Sequence, residues 1–235
     1  MWDIIKATIS WLLSTGPVEK DFTDPAQKLL NSMRITSKCR FGASVRIKRQ
    51  SLFSFITTTV LSLGLILIPL LQNSDINLAF APKVLNMLQI FLAVAVLVYS
   101  VIIATARYET RSEALNECGV KIKDLIRNFR REESESKVSG TLFDLAKYNQ
   151  RYDDVSTDAE NHTRVDFTLA ALEMKSDYNY TGLIRFYMYA KAGLLYTIPY
   201  IGPILLLSIE VCFVTDIVGA THVFTPYFQP ASSNG

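Results

Sequence analysis

The chain is poor in the residues that metal and redox chemistry use. It has two histidines, His162 and His222, and three cysteines, Cys39, Cys118 and Cys212, in 235 residues. Two imidazoles cannot build a histidine-rich metal site, and cysteines this far apart give neither zinc-ligand spacing nor a disulfide framework. Each cysteine falls in a predicted helix and reads as a small apolar residue of a reducing compartment. No phosphate-binding glycine loop, nucleophile elbow, HExxH pair or dinucleotide fingerprint occurs. The sequence therefore predicts a protein that is not an enzyme, with no cofactor and no metal. Net charge is only +2. The basic stretch between 20 and 50 lacks interleaved aromatic platforms, so no direct nucleic-acid binding is expected.

Charge is missing altogether from two long runs. Residues 52–71 read LFSFITTTVLSLGLILIPLL and residues 84–106 read VLNMLQIFLAVAVLVYSVIIATA. About twenty residues at about 1.5 Å each span roughly 30 Å, the hydrocarbon thickness of a bilayer. Both runs are predicted to cross it as helices, because only helices and closed barrels satisfy every backbone group in lipid. Lys38, Arg40, Arg46, Lys48 and Arg49 precede the first run, and Arg107, Arg111 and Lys121 follow the second. The connecting segment 72–83 carries only Lys83. This asymmetry puts both flanks and the N-terminus in the cytoplasm.

A third apolar run, 194–218, lies within a predicted membrane segment at 185–220. It contains Pro199, Pro203, Glu210 and Asp216. It reads as a third span, or alternatively as a re-entrant or bundle-buried helix. An intramembrane carboxylate is a functional candidate because burying it alone is costly. Glu210 is therefore singled out, against snorkelling or pairing with a neighbour. The stretch 1–16 lacks a basic leader region and reads as an amphipathic helix with Met1, Trp2, Ile5, Ile9, Leu12 and Leu13 on one side. It suits a membrane interface, a partner helix or the protein's own core. The tail 221–235 is predicted disordered from Thr225 onward.

Asp24-Pro25 is a helix start, with Asp at the N-cap and Pro at the first helical position. From there one helix can run to Leu71, its first part (25–51) in water and its second in lipid. The second span is expected to continue as a cytoplasmic helix, 107–133. Tyr108, Leu115, Cys118, Ile122, Leu125 and Phe129 step by threes and fours along it, and Arg111 breaks the seam. After a turn at 134–140, a helix over 141–178 carries Leu145, Tyr148, Tyr152, Val155 and Ala159, then His162 and Asp166. Four apart on a helix, His162 and Asp166 would stack on one face. They read either as a polar pair that fixes register or as a contact that sets a switch. The fold class is thus an all-α membrane protein: a transmembrane hairpin extended by long coiled-coil-like cytoplasmic helices, with a third, C-terminal membrane helix expected.

The order of these parts, with Tyr148-Asn149, Tyr152, Glu160-Asn161-His162 and Asp166, resembles the SLATT family of bacterial membrane effectors over about 24–178. The resemblance implies an effector of antiviral defence by abortive infection. Such a protein forms homo-oligomers in the bacterial inner membrane and permeabilises it when a partner signals infection. The implied partner is a separately encoded sensor, either a cyclic-oligonucleotide synthase acting through its nucleotide product or a reverse transcriptase (retron) complex. The residues that carry the resemblance, Tyr148, Tyr152, Asn161, His162 and Asp166, become candidates for the switch or subunit contact. A membrane-anchored scaffold for a soluble partner and a housekeeping channel are the alternatives.

Overall fold

A computed structural model describes residues 2–15, 17–74 and 76–228. The described residues form eight helices and no strand: α1 (Trp2–Leu13), α2 (Pro25–Gln72), α3 (Pro82–Ala106), α4 (Tyr108–Ser139), α5 (Leu145–Thr157), α6 (Arg164–Glu173), α7 (Gly182–Ile217) and α8 (Thr225–Phe228). The chain divides into two compact units. One holds residues 1–48 and 109–198, the other 49–108 and 199–235. Helix α2 begins in the first and ends in the second, as the unbroken pattern from Pro25 predicts. The Asp24 carboxylate accepts the Ala26 amide at 3.0 Å, so the expected N-cap forms. Pro69 lies inside α2, which runs on to Gln72.

In the first unit the α4 seam finds its partner within the chain. Leu115, Cys118, Ile122, Leu125 and Phe129 bury themselves with Leu29 and Met33 of α2 and Tyr148 of α5. Phe129 meets Tyr148 and Phe143 edge-on, at 5.1 and 4.9 Å between ring centres. Where Arg111 interrupts the apolar seam, its neighbour Ser112 takes the inner position. Ser44 and Ser112 each donate to the other's carbonyl, at 2.8 and 3.0 Å, and Ser37 donates to the Gly119 carbonyl at 3.1 Å. These small residues let α2 and α4 run close, and the Phe41 ring lies over Gly119. Across α2, Ile35 and Cys39 pack on Ala170, Ala171 and Met174 of α6 and on Tyr178.

The second unit is the lipid-compatible one. Leu61 and Ile68 of α2, Leu85, Leu88 and Leu92 of α3, and Phe213 and Ile217 of α7 make its core. Large apolar side chains cover its outside, among them Phe55, Leu63, Leu97, Val101 and Leu205. Water would penalise such a surface and acyl chains would not. Three helices, α2, α3 and α7, carry stretches long and apolar enough to cross a membrane. Pro199 and Pro203 sit inside α7 without ending it.

Several expectations are corrected. The second span does not pass straight into the next helix. Arg107 adopts a left-handed conformation (φ 46°), so α3 stops at Ala106 and α4 restarts at Tyr108. Helix α4 continues through the expected turn to Ser139 and ends at Gly140, whose φ of 70° suits glycine. The helix expected over 141–178 is two helices, α5 and α6, because Asp158 closes one and Thr163 caps the next. Residues 225–228, expected to be disordered, form α8, and Phe228 and Phe224 pack on Phe213. Residues 229–235 of that tail lie outside the described residues, as do Met1, Gly16 and the Ile9 side chain. Helix α1 does not bury its apolar side in the fold: Trp2, Ile5, Leu12 and Leu13 are exposed.

The aromatic knot at Phe129 is the cheapest place to test this packing. Phe129→Ala is expected to cost the first unit about 3–5 kcal/mol. Val138→Ala on the exposed end of α4 should stay within about 0.5 kcal/mol. Thermal unfolding of the two variants in detergent measures the difference.

Candidate functional site

The five residues singled out around the helices of the first unit do not form one face. Tyr148 is fully buried in the α2–α4–α5 core. Burial, and then the nearby Glu132, push its phenol up to about 12. Tyr152 shares a hydrogen bond of 2.7 Å with Thr36 of α2 and donates more weakly to the Ser32 carbonyl. Asn161 is exposed in the α5–α6 connection.

His162 and Asp166 are not stacked on a helix. His162 precedes the Thr163 cap, in non-helical backbone, while Asp166 is the third residue of α6. A four-residue spacing pairs side chains only when the helix covers both ends, and here it starts between them. Thr163 and Asp166 form a capping box. The Asp166 carboxylate accepts the Thr163 amide at 3.0 Å and its hydroxyl at 2.7 Å, and the Thr163 hydroxyl accepts the Asp166 amide.

The partner of Asp166 is Arg46. Its guanidinium donates through Nε and one terminal nitrogen to the two carboxylate oxygens, both at 2.9 Å. The side chains are 2% and 15% exposed, so this bidentate pair clamps α6 to α2 out of water. Burial would raise the Asp166 carboxyl, but the bonds from Arg46 and Thr163 outweigh it and hold it below the usual range. His162 is half-buried and stacks on Phe167, with ring centres 6.4 Å apart. Burial, and then the Arg40 charge, lower its pKa, which leaves it neutral at neutral pH. Arg40 is the largest fully buried side chain of the unit. It donates to the Ser156 carbonyl at 3.0 Å, in the last turn of α5, where backbone carbonyls favour a cation.

Sequence reasoning missed Arg46 and Arg40, because both read as part of a basic stretch before a membrane span. The signal that could have found Arg46's partner was Thr163-x-x-Asp166, a capping box that places an acidic group at a helix start. Further charge pairs tie the elements together: Arg34–Asp177, Arg111–Glu160 and Lys121–Asp158.

In the second unit Glu210 is 3% exposed, and neither carboxylate oxygen has a hydrogen-bond partner. It rests on α2 where Gly64 leaves room; a Cβ at that position would collide with the carboxylate. Beside it lies an apolar groove of about 420 Å³, walled by residues such as Leu63, Leu67, Val211 and Val214. The hydroxyls of Thr57, Thr58, Thr59 and Ser62 all donate to carbonyls one turn back in α2. Asp216, at the end of α7, is fully buried. It accepts from the Thr221 hydroxyl and from the amides of Val223, Phe224 and Thr225, which folds the chain back over the helix end.

These features define an all-α protein with a membrane-spanning helical unit and a charged, ion-paired helical bundle. Among known families, residues 23–214 match the SMODS and SLOG-associating 2TM effector domain, family 5. The chain belongs to that family, and the match takes in most of α7, which the sequence resemblance had left outside. No curated protein and no solved structure matches it.

Two outcomes test this geometry. Asp166→Ala strands the Arg46 cation and is expected to cost about 3 kcal/mol or more, while His162→Ala should cost under about 1 kcal/mol. Hydrogen exchange of the α6 amides reads both. A carboxyl held low stabilises above its ordinary value near 3.9, and that stability is lost as pH falls through the lowered value. The protection factors of the α6 amides, taken relative to the intrinsic exchange rate at each pH, should therefore fall on acidification in the wild type, and less in Asp166→Asn. In the membrane unit, Gly64→Val should lower thermal stability by about 1–3 kcal/mol, and Glu210→Ala in the same chain should restore part of the loss.

Proposed function

We propose that this chain is the membrane effector of a bacterial anti-phage defence system, acting by abortive infection. It oligomerises in the inner membrane and permeabilises it when a separately encoded partner signals infection. The observation that carries the reading is family membership joined to three helices apolar enough to cross a membrane. The positive flanks argue that the N-terminus and the ion-paired bundle face the cytoplasm, where a signal would arrive. That partner is a cyclic-oligonucleotide synthase acting through its product, or a reverse-transcriptase complex.

Permeation on this reading needs assembly. The hydroxyls of Thr57, Thr58, Thr59 and Ser62 are turned onto the backbone of α2, Ser54 pairs with Tyr99 of α3, and Glu210 is shut against Gly64. A single copy thus offers little polar surface to line a hydrated path, which also argues against a housekeeping channel. The chain does its work without catalysis. The Arg46–Asp166 clamp is the natural element for a trigger to act on, because it joins α6 to the helix that continues into the membrane unit.

Membrane potential in cells tests the proposal. Induced expression with the neighbouring genes and their trigger should depolarise cells within minutes, and omission of the trigger should leave the potential intact. An unchanged potential under every triggering condition, with the protein in the membrane and co-purifying with a soluble partner, would overturn it in favour of a scaffold.

A further inference from the structure

The apolar runs 52–71, 84–106 and 192–218 contain no lysine or arginine. Glu210 lies in the last of them, 3% exposed, and neither of its carboxylate oxygens has a hydrogen-bond partner. Buried carboxylates are ordinarily paired with a cation or given several donors, because burial without either is costly. Asp216, six residues further on, shows the ordinary case. Three backbone amides and the Thr221 hydroxyl donate to its two oxygens. Hydroxyls on the two helices that hold Glu210 are engaged elsewhere. Ser62 donates to the Thr58 carbonyl and Thr215 to the Val211 carbonyl.

The carboxyl forms part of the wall of the groove of about 420 Å³. The rest of that wall is apolar, with Val60, Leu63 and Leu67 from α2 and Val211 and Val214 from α7. Small-molecule sites have volumes of about 300–1,000 Å³ and the same pattern, an apolar lining with a few placed polar groups. Leu63 and Val211 are 60% and 54% exposed, so the groove is reached from the lipid-compatible surface of the unit. Acyl chains can fill it, but they bring no hydrogen-bond donor. A second copy of this chain would bring the same apolar runs, which hold no cation. A phospholipid headgroup amine stays with its phosphate at the surface, while Glu210 lies seven residues, about 10 Å, inside the end of α7 at Ile217. An apolar body that carries a protonated amine meets every demand of the site. It covers the walls and gives the carboxylate both N–H donors and a counter-charge.

We propose that the groove between α2 and α7 at Glu210 is a binding site for a lipophilic primary amine, its nitrogen on the Glu210 carboxylate and its hydrocarbon body along Leu63, Leu67 and Val214. Gly64 makes the site possible, since a Cβ there would overlap the carboxyl oxygen that the amine meets. The site belongs to the membrane unit alone, so it stands or falls separately from assembly and permeation. A neutral molecule of the same shape would bind by its apolar surface only, without the ion pair that a low-dielectric wall strengthens.

Equilibrium dialysis of the full chain in phosphatidylcholine nanodiscs tests it, because that headgroup carries no N–H. The probe is 1-aminoadamantane, with 1-hydroxyadamantane as its neutral counterpart and empty nanodiscs as the correction for partitioning. Saturable binding of one amine per chain is expected, at least tenfold tighter than the alcohol. Glu210→Gln should weaken the amine at least tenfold and leave the alcohol unchanged. Leu63→Trp, which fills the groove from its exposed rim and keeps the carboxyl, should weaken both. Circular dichroism and elution volume confirm that each variant is folded. Should Glu210→Gln fail there, the amine-to-alcohol ratio in the wild type and its loss in Leu63→Trp decide the matter. Equal affinities for amine and alcohol, or amine binding untouched by Glu210→Gln, would overturn the proposal and leave a groove filled by lipid. Loss of amine binding when phosphatidylethanolamine replaces half the lipid would overturn it in favour of a headgroup amine. Benzoylphenylalanine at Leu67 that gives subunit adducts which the amine does not prevent would overturn it in favour of a second copy.

Discussion

A peptide backbone in hydrocarbon must satisfy its own hydrogen bonds, and in this chain that constraint falls first on α2. The helix carries the chain from a water-side bundle into a lipid-compatible unit without a break, so one element has to meet two solvents. In its first half, cations and small hydroxyl residues are placed for protein partners: Arg40 on the end of α5, Arg46 on Asp166, Ser37 and Ser44 against α4. In its second half, hydroxyls turn back to the helix's own carbonyls and apolar side chains face outward. Every other element of either unit packs on some part of this rod or on a helix that does.

Two of the buried carboxylates, Asp166 and Glu210, differ in how completely they are satisfied. Asp166 has a bidentate guanidinium, an amide and a hydroxyl, so its charge is compensated and the contact is strong only while all parts are present. Glu210 has none of these and is seated on a glycine in an apolar wall. The first arrangement holds a helix in place. The second stores a polar group where lipid or a neighbouring helix would otherwise meet only hydrocarbon. On the proposed reading, an effector that waits for a trigger would use both properties, a clamp that can be released and a polar group that can be uncovered.

Much of the architecture was legible in the sequence because its causes are local and repetitive. Uncharged runs of bilayer length, Asp24-Pro25 as a helix start and the three-four stepping of Leu115 to Phe129 each follow from one-dimensional periodicity. The family resemblance rested on the same order of parts, and the family match extends it through α7. What failed was the reading of His162 and Asp166. The heptad stepping continues numerically across 158–163, but Asp158 closes α5 and the Thr163–Asp166 capping box starts α6 afresh. The tail from Thr225 looked polar and featureless. Phe224 and Phe228 nevertheless pack there, because Asp216 folds the chain back onto α7.

The sequence by itself determined that this is a helical membrane protein, which segments can cross, and where α2 begins, since hydropathy, length and capping act along the chain. Only the tertiary structure decided which charges meet. Arg46 and Asp166 are 120 residues apart, and nothing in either neighbourhood names the other. It also decided that the α4 seam closes on the protein's own α2 and α5, while α1 stays uncovered. Burial depends on which surfaces fold together in space, and for surfaces this far apart in sequence no local pattern fixes that choice.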